Sequence, residues 1–321
     1  MPFSRRGVLL SASALALAAG VRGAVAQAEW KPSRDVEFVI PFAVGGGADL
    51  MARVLHKIIT EERLVPVSVA LVNRPGGGGA VGIGYVSASR KADPHTLVMV
   101  NGTTQITPIL NPNARTLSEV RPVMNVMLDD FLLFVRNDSP WKTAADFARD
   151  AKGKPPKTFA FSTGGTTDVM AITVLAKAIG TELNMINFNS GGEALTALLG
   201  GHVSASIGNP LEFMGHLKSG SVRAIGVFRD TRYPEFPDVP TMKEQGIEAA
   251  NFQMWRGVAM PKGAPEPAVQ YWTGIIEKAA ASPQYKAYIR ENVASEAPIA
   301  GPAFEKFLAD QERLYRDLLG T

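Results

Sequence analysis

The sequence predicts an α/β protein in which short strands alternate with helices along most of the chain. Nine apolar runs of four to seven residues, rich in β-branched and aromatic side chains, are separated by segments with helical periodicity. Such alternation favours largely parallel strands whose faces are covered by helices. The runs are VEFVI, VSVALV, TLVMV, FLLFV, TFAF, NMINF, VSASI, VRAIGVF and WRGVAM.

Three of the helical segments place their apolar residues on one face, as expected for helices that pack on a sheet. The three faces comprise Leu50, Met51, Val54, Leu55, Ile58 and Ile59; Val169, Met170, Ile172, Leu175, Ala176 and Ile179; and Phe304, Phe307, Leu308, Leu314, Tyr315 and Leu318.

Length and two breaks in pattern predict the domain organisation. A chain of 321 residues with 46% apolar side chains can form one large or two medium domains. The pattern changes near residues 129–142, where a strand leads to a helix that Thr143 and Asp146 open as a capping box. It changes again at the proline-rich stretch RYPEFPDVPTMKEQG. We expect a first lobe of residues 29–129 and 251–321, with a second lobe of residues 130–250 inserted into it.

The first 28 residues have the three zones of a signal peptide. A basic start is followed by an apolar run from Val8 to Ala19 and by the small-residue ending AVAQA. That run has 12 residues, whereas a membrane-spanning helix needs about 20, so cleavage is favoured over a retained anchor. The mature chain would start near Glu29 in the periplasm. Because SRRGVLL also resembles a twin-arginine signal, the export route stays open.

Charge and cysteine content narrow the classes of partner. The whole chain has 33 basic and 30 acidic residues, and the three surplus cations, Arg5, Arg6 and Arg22, lie in the predicted signal peptide. The mature chain therefore has 30 of each and no net charge, which disfavours nucleic acid as a partner. With no cysteine, the protein has neither disulfides nor thiolate metal sites.

Five loops of glycine, serine, threonine or asparagine follow predicted strands and open helices: PFAVGGGAD, NGTTQ, STGGTTD, NSGGEA and IGNP. In open α/β sheets such loops expose amide donors at helix N-termini, which favour anions. None of the five contains Lys or Arg, so a bound carboxylate would rely on amides and on hydroxyl groups. The alternative is that these residues only make turns and cap helices. The hydroxyl candidates are those of Thr103, Ser162, Thr163, Thr166 and Thr167.

Enzyme and cofactor motifs are weak by comparison. Gly77, Gly79 and Gly82 form a literal G-x-G-x-x-G, but no acidic residue stands about 20 positions later for a ribose, so we expect no cofactor. No histidine lies in the five loops. Asp49 and Asp168 stand in first helical turns, where a carboxylate commonly complements the helix dipole. We therefore predict no catalytic residue and no metal site.

Four stretches resemble the receptors of the tripartite tricarboxylate transporter, or Bug, family along nearly the whole mature chain. They are PFAVGGGADLMAR, LVNRPGGGGAVGIGYV, SGGEALTALLGGHV with the following VRAIGVFRDTRYPEFPDVPTMKEQG, and WRGVAMPKGAP. The resemblance implies an α/β fold of the type II periplasmic-binding class, with two hinged lobes and a ligand cleft between them. It also implies a small organic carboxylate as ligand and the membrane subunits of such a transporter as partners.

The same resemblance implies the ligand-binding residues. The first strand-helix loop would hold the ligand carboxylate, and the loop from Ser162 to Asp168 would face it, with Thr103 and Asn209 added by position. Two departures leave the ligand's identity open: no histidine follows the Gly-Gly turn at GGTTDVMA, and Ser204 stands where many relatives have an acid. Arg74 and Arg256 could pair with a second carboxylate or serve structure. The full set is Phe42, Ala43, Gly45, Gly46, Asp49, Thr103, Ser162, Thr163, Gly165, Thr166, Thr167, Asp168 and Asn209.

These observations predict a periplasmic solute-binding receptor that captures a carboxylate and catalyses nothing, with a monomer as the default expectation. Two alternatives stay open. One is a periplasmic enzyme that uses Asp49 or Asp168 on a small organic acid, and the other is a ligand sensor that docks on a membrane kinase.

Overall fold

The structure is a computed structural model that describes residues 30–115 and 117–321. Within these residues the chain forms eleven strands and ten α-helices, joined in places by short 3₁₀ turns. The predicted signal peptide, residues 1–28, lies outside the described residues. No helix in the described part of the chain is long and apolar enough to cross a membrane.

Six strands form the first sheet. In their order across it they are β11 (Ser295–Ala300), β4 (Val120–Asp130), β10 (Gln253–Pro261), β3 (Thr96–Asn101), β1 (Val36–Ile40) and β2 (Val69–Asn73). The helices of the same parts of the chain are α1 (Gly47–Glu61), α2 (Ala80–Ser89), α3 (Gly102–Leu110), α8 (Glu266–Ala281), α9 (Pro283–Glu291) and α10 (Gly301–Leu319).

Five strands form the second sheet. In their order across it they are β7 (Asn184–Asn187), β6 (Ala160–Thr163), β8 (Ala205–Gly208), β5 (Leu132–Arg136) and β9 (Val222–Val227). Four helices accompany them: α4 (Ala144–Lys152), α5 (Thr166–Ile179), α6 (Gly191–Leu199) and α7 (Pro210–Lys218).

The prediction of largely parallel strands is wrong, because both sheets are mixed. In the first sheet β10 runs antiparallel to β3 and to β4, and in the second β5 runs antiparallel to β8 and to β9. The long strand β4 was not among the nine predicted runs, since Pro122 and its terminal acids interrupt the apolar pattern. The edge strand β11 was missed for the same reason, with exposed polar residues and Pro298.

The helical predictions are confirmed. In α1, Met51, Leu55, Ile58 and Ile59 are fully buried, and in α10 the aromatic rings of Phe304 and Tyr315 are. The helix α4 begins at the predicted capping box, in which Thr143 and Asp146 exchange hydrogen bonds with each other's backbone amides. Amphipathic periodicity therefore located the helices that cover the two sheets.

The chain passes from the first sheet to the second between Asp130 and Leu132, and it returns between Val227 and Gln253. Both sheets lie in one compact unit, Lys31–Thr321, so their loops meet directly. The lobe boundaries at 129/130 and 250/251 stay a prediction, because sheet membership does not assign the loop between β9 and β10. The carboxyl-end loops of both sheets converge on one cavity, and this convergence positions the site.

Candidate functional site

A narrow cavity lies where the loops of the two sheets meet, and we call it the central cavity. Its free space is about 30 Å³, which is room for one or two water molecules. Its lining is mostly backbone and small side chains, with three charged groups. The lining residues that the argument uses are Gly46, Gly47, Thr103, Gly164, Gly165, Thr167, Asp168, Asn209, Glu212 and Arg256.

The N-terminus of α1 faces this cavity without a capping side chain. Gly46 is the N-cap residue and no side chain bonds the helix amides from that position. The next amide, that of Gly47, donates to Oε1 of Glu212 at 2.8 Å. A Cβ atom built on Gly47 would lie 2.5 Å from Nη1 of Arg256, so only glycine lets the guanidinium approach this backbone. The first loop thus presents amide donors to an anion.

Asp49 stabilises this loop from behind and does not line the cavity. Its carboxylate accepts hydrogen bonds from Nε and Nη2 of Arg53 at 2.7 and 3.0 Å, from Asn73 at 2.9 Å and from the Gly45 amide at 3.0 Å. Burial alone would raise the pKa of Asp49, but these hydrogen bonds hold it below its ordinary value. The carboxylate is therefore committed to the shape of the loop.

The N-terminus of α5 approaches the cavity from the second sheet. Gly165 is an extended N-cap with no capping side chain, and Oδ2 of Asp168 accepts from the Gly164 amide at 2.6 Å. Burial, helped by the charge of Glu212, raises the pKa of Asp168 to about 7, against the lowering effects of the Gly164 hydrogen bond, the Arg256 charge and the Thr167 hydroxyl. Asp168 therefore changes charge near neutral pH at the wall of the cavity.

A cluster of threonine hydroxyls ties the two sheets together beside the cavity. The hydroxyl oxygens of Thr103 and Thr167 are 2.9 Å apart, and those of Thr107 and Thr166 are 3.1 Å apart. The Thr166 hydroxyl also donates to the carbonyl of Thr103 at 3.0 Å. A Cβ atom on Gly165 would lie 2.6 Å from the Thr103 hydroxyl. These contacts join α3 to α5, so the lobes are closed on each other.

Arg256 is the cation of the site, and it is almost fully buried. Its guanidinium donates to Oδ2 of Asp129 at 3.0 and 3.2 Å and to Oδ1 of Asn209 at 3.2 Å. Its Nη2 also lies 3.8 Å from Oε1 of Glu212. Burial raises the pKa of Asp129 to about 7, although Arg256 opposes that shift. The ion pair with Asp129 supports a structural role for Arg256. Arg256 also lines the central cavity.

A second, larger cavity adjoins the first, and we call it the outer cavity. It has about 400 Å³ of free space and shares Phe42, Gly164 and Gly165 with the central cavity. In the described part of the chain no charged side chain lines it. The remaining lining is Gly76, Gly77, Gly78, Gly79, Leu110, Thr163, Thr166, Val169, Asn187, Phe188 and Asn189. It offers neutral donors and apolar surface in a volume suited to a small organic molecule.

The structure brings most of the predicted binding residues together. The central cavity is lined by Phe42, Gly46, Thr103, Gly165, Thr167, Asp168 and Asn209, and the outer one by Thr163 and Thr166 as well. Four predicted residues, Ala43, Gly45, Asp49 and Ser162, line neither cavity.

Sequence reasoning missed two acids of the site. Glu212 stands in the first turn of α7, where an acid usually complements the helix dipole, and Asp129 lies in the strand β4 that the pattern did not predict. No signal in either local pattern pointed to the cavity. Asp129, Glu212 and Arg256 are far apart in the sequence and come together only in the folded chain.

Comparison with known proteins assigns the family. The family described as TctC, tripartite tricarboxylate transporter family receptor, matches residues 51–318. The chain belongs to this family. The protein BugT of Bordetella pertussis is 30% identical over 79% of this chain and 79% of its own length.

Solved structures of this class share the fold. The periplasmic binding protein BugD is 24% identical, with a TM-score of 0.83 over 90% of this chain and 97% of its own. MatC of Rhodopseudomonas palustris, solved with bound malate, is 24% identical, with a TM-score of 0.80 over 89% of this chain and 99% of its own. The predicted α/β fold of periplasmic binding proteins is thus confirmed, and the chain is a receptor of the tripartite tricarboxylate type.

Proposed function

We propose that this receptor captures a small organic carboxylate between its lobes in the periplasm and delivers it to the membrane subunits of a tripartite tricarboxylate transporter. One observation carries the proposal: the uncapped N-terminus of α1 already holds a carboxylate, that of Glu212, on the Gly47 amide at 2.8 Å. Helix N-termini favour anions because their amides are unpaired and the helix dipole is positive there. A ligand carboxylate fits the same donors.

The rest of the ligand would occupy the outer cavity. Its neutral lining and its free space of about 400 Å³ suit a short aliphatic or aromatic body, and Phe42, Gly164 and Gly165 line both cavities. MatC, which shares the fold, was solved with malate. Release requires the lobes to part, which would break the Thr103 to Thr167 contact. We propose hinges near the two predicted lobe boundaries, with residues 130–250 moving as one lobe.

Catalysis is the competing function, and Asp168 is the observation that favours it. A buried carboxyl with a pKa near 7 in a cavity is typical of general acids and bases. Asp49, the other candidate, is fully engaged by Arg53, Asn73 and the Gly45 amide. We propose binding without turnover. Catalysis would be established if the purified protein consumed the added acid and the Asp168→Asn variant did not.

A thermal-shift screen of the mature chain from Glu29 tests the proposed binding. The panel consists of malate, adipate, benzoate, citrate and several amino acids, each beside its primary amide. We expect one acid to raise the melting temperature saturably while its amide does not, because only the acid carries the charge that the helix termini favour. No shift with any acid would contradict the proposal.

A pair of variants on one helix localises that shift. Thr167 lines the central cavity, whereas Thr173, six residues further along α5, bonds only to the carbonyl of Val169. Thr167→Val should weaken the ligand-induced shift, and Thr173→Val should leave it as in the parent protein. Equal shifts in both variants would place the acid elsewhere.

A further inference from the structure

Glu212 stands where the proposed function puts the ligand. It belongs to α7 beside the second sheet, yet its Oε1 accepts from the amide of Gly47 at the start of α1, beside the first sheet, at 2.8 Å. The same oxygen lies 3.8 Å from Nη2 of Arg256. One carboxylate of the chain therefore spans the two lobes and uses the amide that a bound acid would use.

The surroundings of Glu212 fit this position closely. A Cβ atom on Gly191 would lie 2.8 Å from Oε1 of Glu212, so glycine leaves the carboxylate its space. The side chain is only 9% exposed, and in the described structure its Oε2 is buried without a hydrogen-bond partner. A buried acceptor oxygen without a hydrogen-bond partner costs free energy, so a rearrangement that gives Oε2 a partner is favoured.

We infer that Glu212 is a built-in competitor for the carboxylate site, which latches the lobes together in the absence of ligand and sets which acids can displace it. The inference deepens the proposed function and rests on it for the nature of the ligand. With only about 30 Å³ free in the central cavity, an acid cannot enter until the Glu212 carboxylate has left the Gly47 amide. Binding of an acid and release of the latch are thus one event.

The latch lowers the apparent affinity for every acid. It favours the acids that recover part of this lost affinity through an additional contact. A ligand that must displace an internal group binds with an affinity reduced by the fraction of molecules in which the site is free. An acid whose second polar group can hydrogen-bond to the released Glu212 recovers part of that loss. Glu212 thereby discriminates among carboxylates by their second polar group and not by their charge alone.

The test measures lobe separation without any carboxylate. Because the sequence has no cysteine, spin labels can be placed on Lys57→Cys in α1 and Lys218→Cys at the end of α7, both exposed. Double electron-electron resonance in Tris chloride then reports the distance between the lobes. We expect Glu212→Ala to lengthen and broaden the distribution. Glu212→Gln should give an intermediate result, because the amide oxygen keeps the Gly47 hydrogen bond but loses the charge.

Glu266→Ala is the matched control, since Glu266 is an exposed first-turn acid of α8 outside both cavities, and it should reproduce the parent distribution. A Glu212→Ala distribution that superimposes on the parent would overturn the latch, provided that circular dichroism shows both to be folded. The distance measurement does not depend on any ligand, so the two proposals can fail separately. If Glu212→Ala opens but no carboxylate binds to the protein, the latch is supported and the proposed function is contradicted. If a carboxylate binds but Glu212→Ala does not open, the proposed function is supported and the latch is contradicted.

Titration with malate measures the competition. Glu212→Ala should bind malate about tenfold more tightly than the parent, as expected when a charge-assisted hydrogen bond no longer has to be displaced. Unchanged or weaker binding of malate by Glu212→Ala would overturn the competitor role, since it would mean that displacing the Glu212 carboxylate carries no net cost for the ligand.

Discussion

Replacement of Arg256 by methionine should lower the free energy of unfolding by about 3 to 5 kcal/mol, equivalent to roughly 10 °C in melting temperature. The guanidinium is the cation that pairs with Asp129 and approaches Glu212 within a nearly sealed region. Methionine fills part of the volume but leaves the acids without a counter-charge. Because Asp129 has a pKa of about 7, the loss should be larger at pH 8 than at pH 6.

A double variant and a surface control separate pairing from packing. In Arg256→Met with Asp129→Leu, one of the unpaired acids is gone as well, so at least half of the lost stability should return. Arg316→Met removes an exposed i,i+4 partner of Glu312 on α10 and should change the melting temperature by only about 1 °C. Urea unfolding of the parent protein, Arg256→Met, Asp129→Leu, the double variant and Arg316→Met gives the comparison. If the double variant is less stable than either single one, Asp129 and Arg256 do not act as a pair.

A second large effect is expected on ligand binding: the affinity of the protein for a carboxylate should fall about tenfold between pH 6 and pH 8. Malate and similar acids stay ionised over this range, whereas Asp168, with a pKa of about 7, becomes charged within it. An ionised Asp168 repels the ligand carboxylate across a cavity that also holds Glu212. Ligand binding should therefore favour the protonated form of Asp168 and take up a proton near pH 8.

Asp168→Asn tests this assignment, because asparagine can still accept the Gly164 hydrogen bond but cannot ionise. Its affinity for the acid should vary little between pH 6 and pH 8. Asp146→Asn removes the corresponding first-turn acid of α4, outside the cavity, and should keep the parent's pH profile. Calorimetric titration at the two pH values decides the matter. A parent affinity that is constant from pH 6 to pH 8 would contradict the account.

The raised pKa values also set the direction of the stability profile. A carboxyl whose folded pKa is above its unfolded value binds more protons in the folded state between those two values. Asp168 and Asp129 therefore lower the free energy of unfolding as the pH rises from about 4 to about 7. Affinity measurements at pH 8 need temperatures well below the melting point.

The sequence predicted the α/β fold and the helix faces because burial imposes a period on apolar residues. It could not predict β4 or β11, since Pro122 and Pro298 interrupt their patterns and pairing with neighbouring strands, rather than local preference, holds them in the sheet. The mixed direction comes from β10 and β11 in the first sheet and from β5 in the second, because these strands run antiparallel to their neighbours. These features depend on contacts that are distant in sequence.

The candidate site also combines residues that local sequence patterns predict with residues that only contacts distant in sequence bring together. Glycine and threonine loops predicted residues such as Gly46, Gly165 and Thr167, because strand ends and helix starts are local features. The cluster of Asp129, Glu212 and Arg256 joins three separate stretches, and each residue alone has an ordinary structural explanation. Asp49, a first-turn acid predicted to contact the ligand, holds the binding loop and lines neither cavity, and its contact with a ligand stays a prediction.

The central claim, that a ligand carboxylate binds to the amides at the start of α1 and α5, can be tested by nuclear magnetic resonance of the chain from Glu29, labelled with ¹⁵N-glycine. The protein is titrated with the acid that gives the largest thermal shift and with its primary amide. The account predicts saturable shifts of the Gly47 and Gly165 amide resonances with the acid and none with the amide. Saturable binding of the acid that leaves Gly46, Gly47, Gly164 and Gly165 unmoved would contradict it.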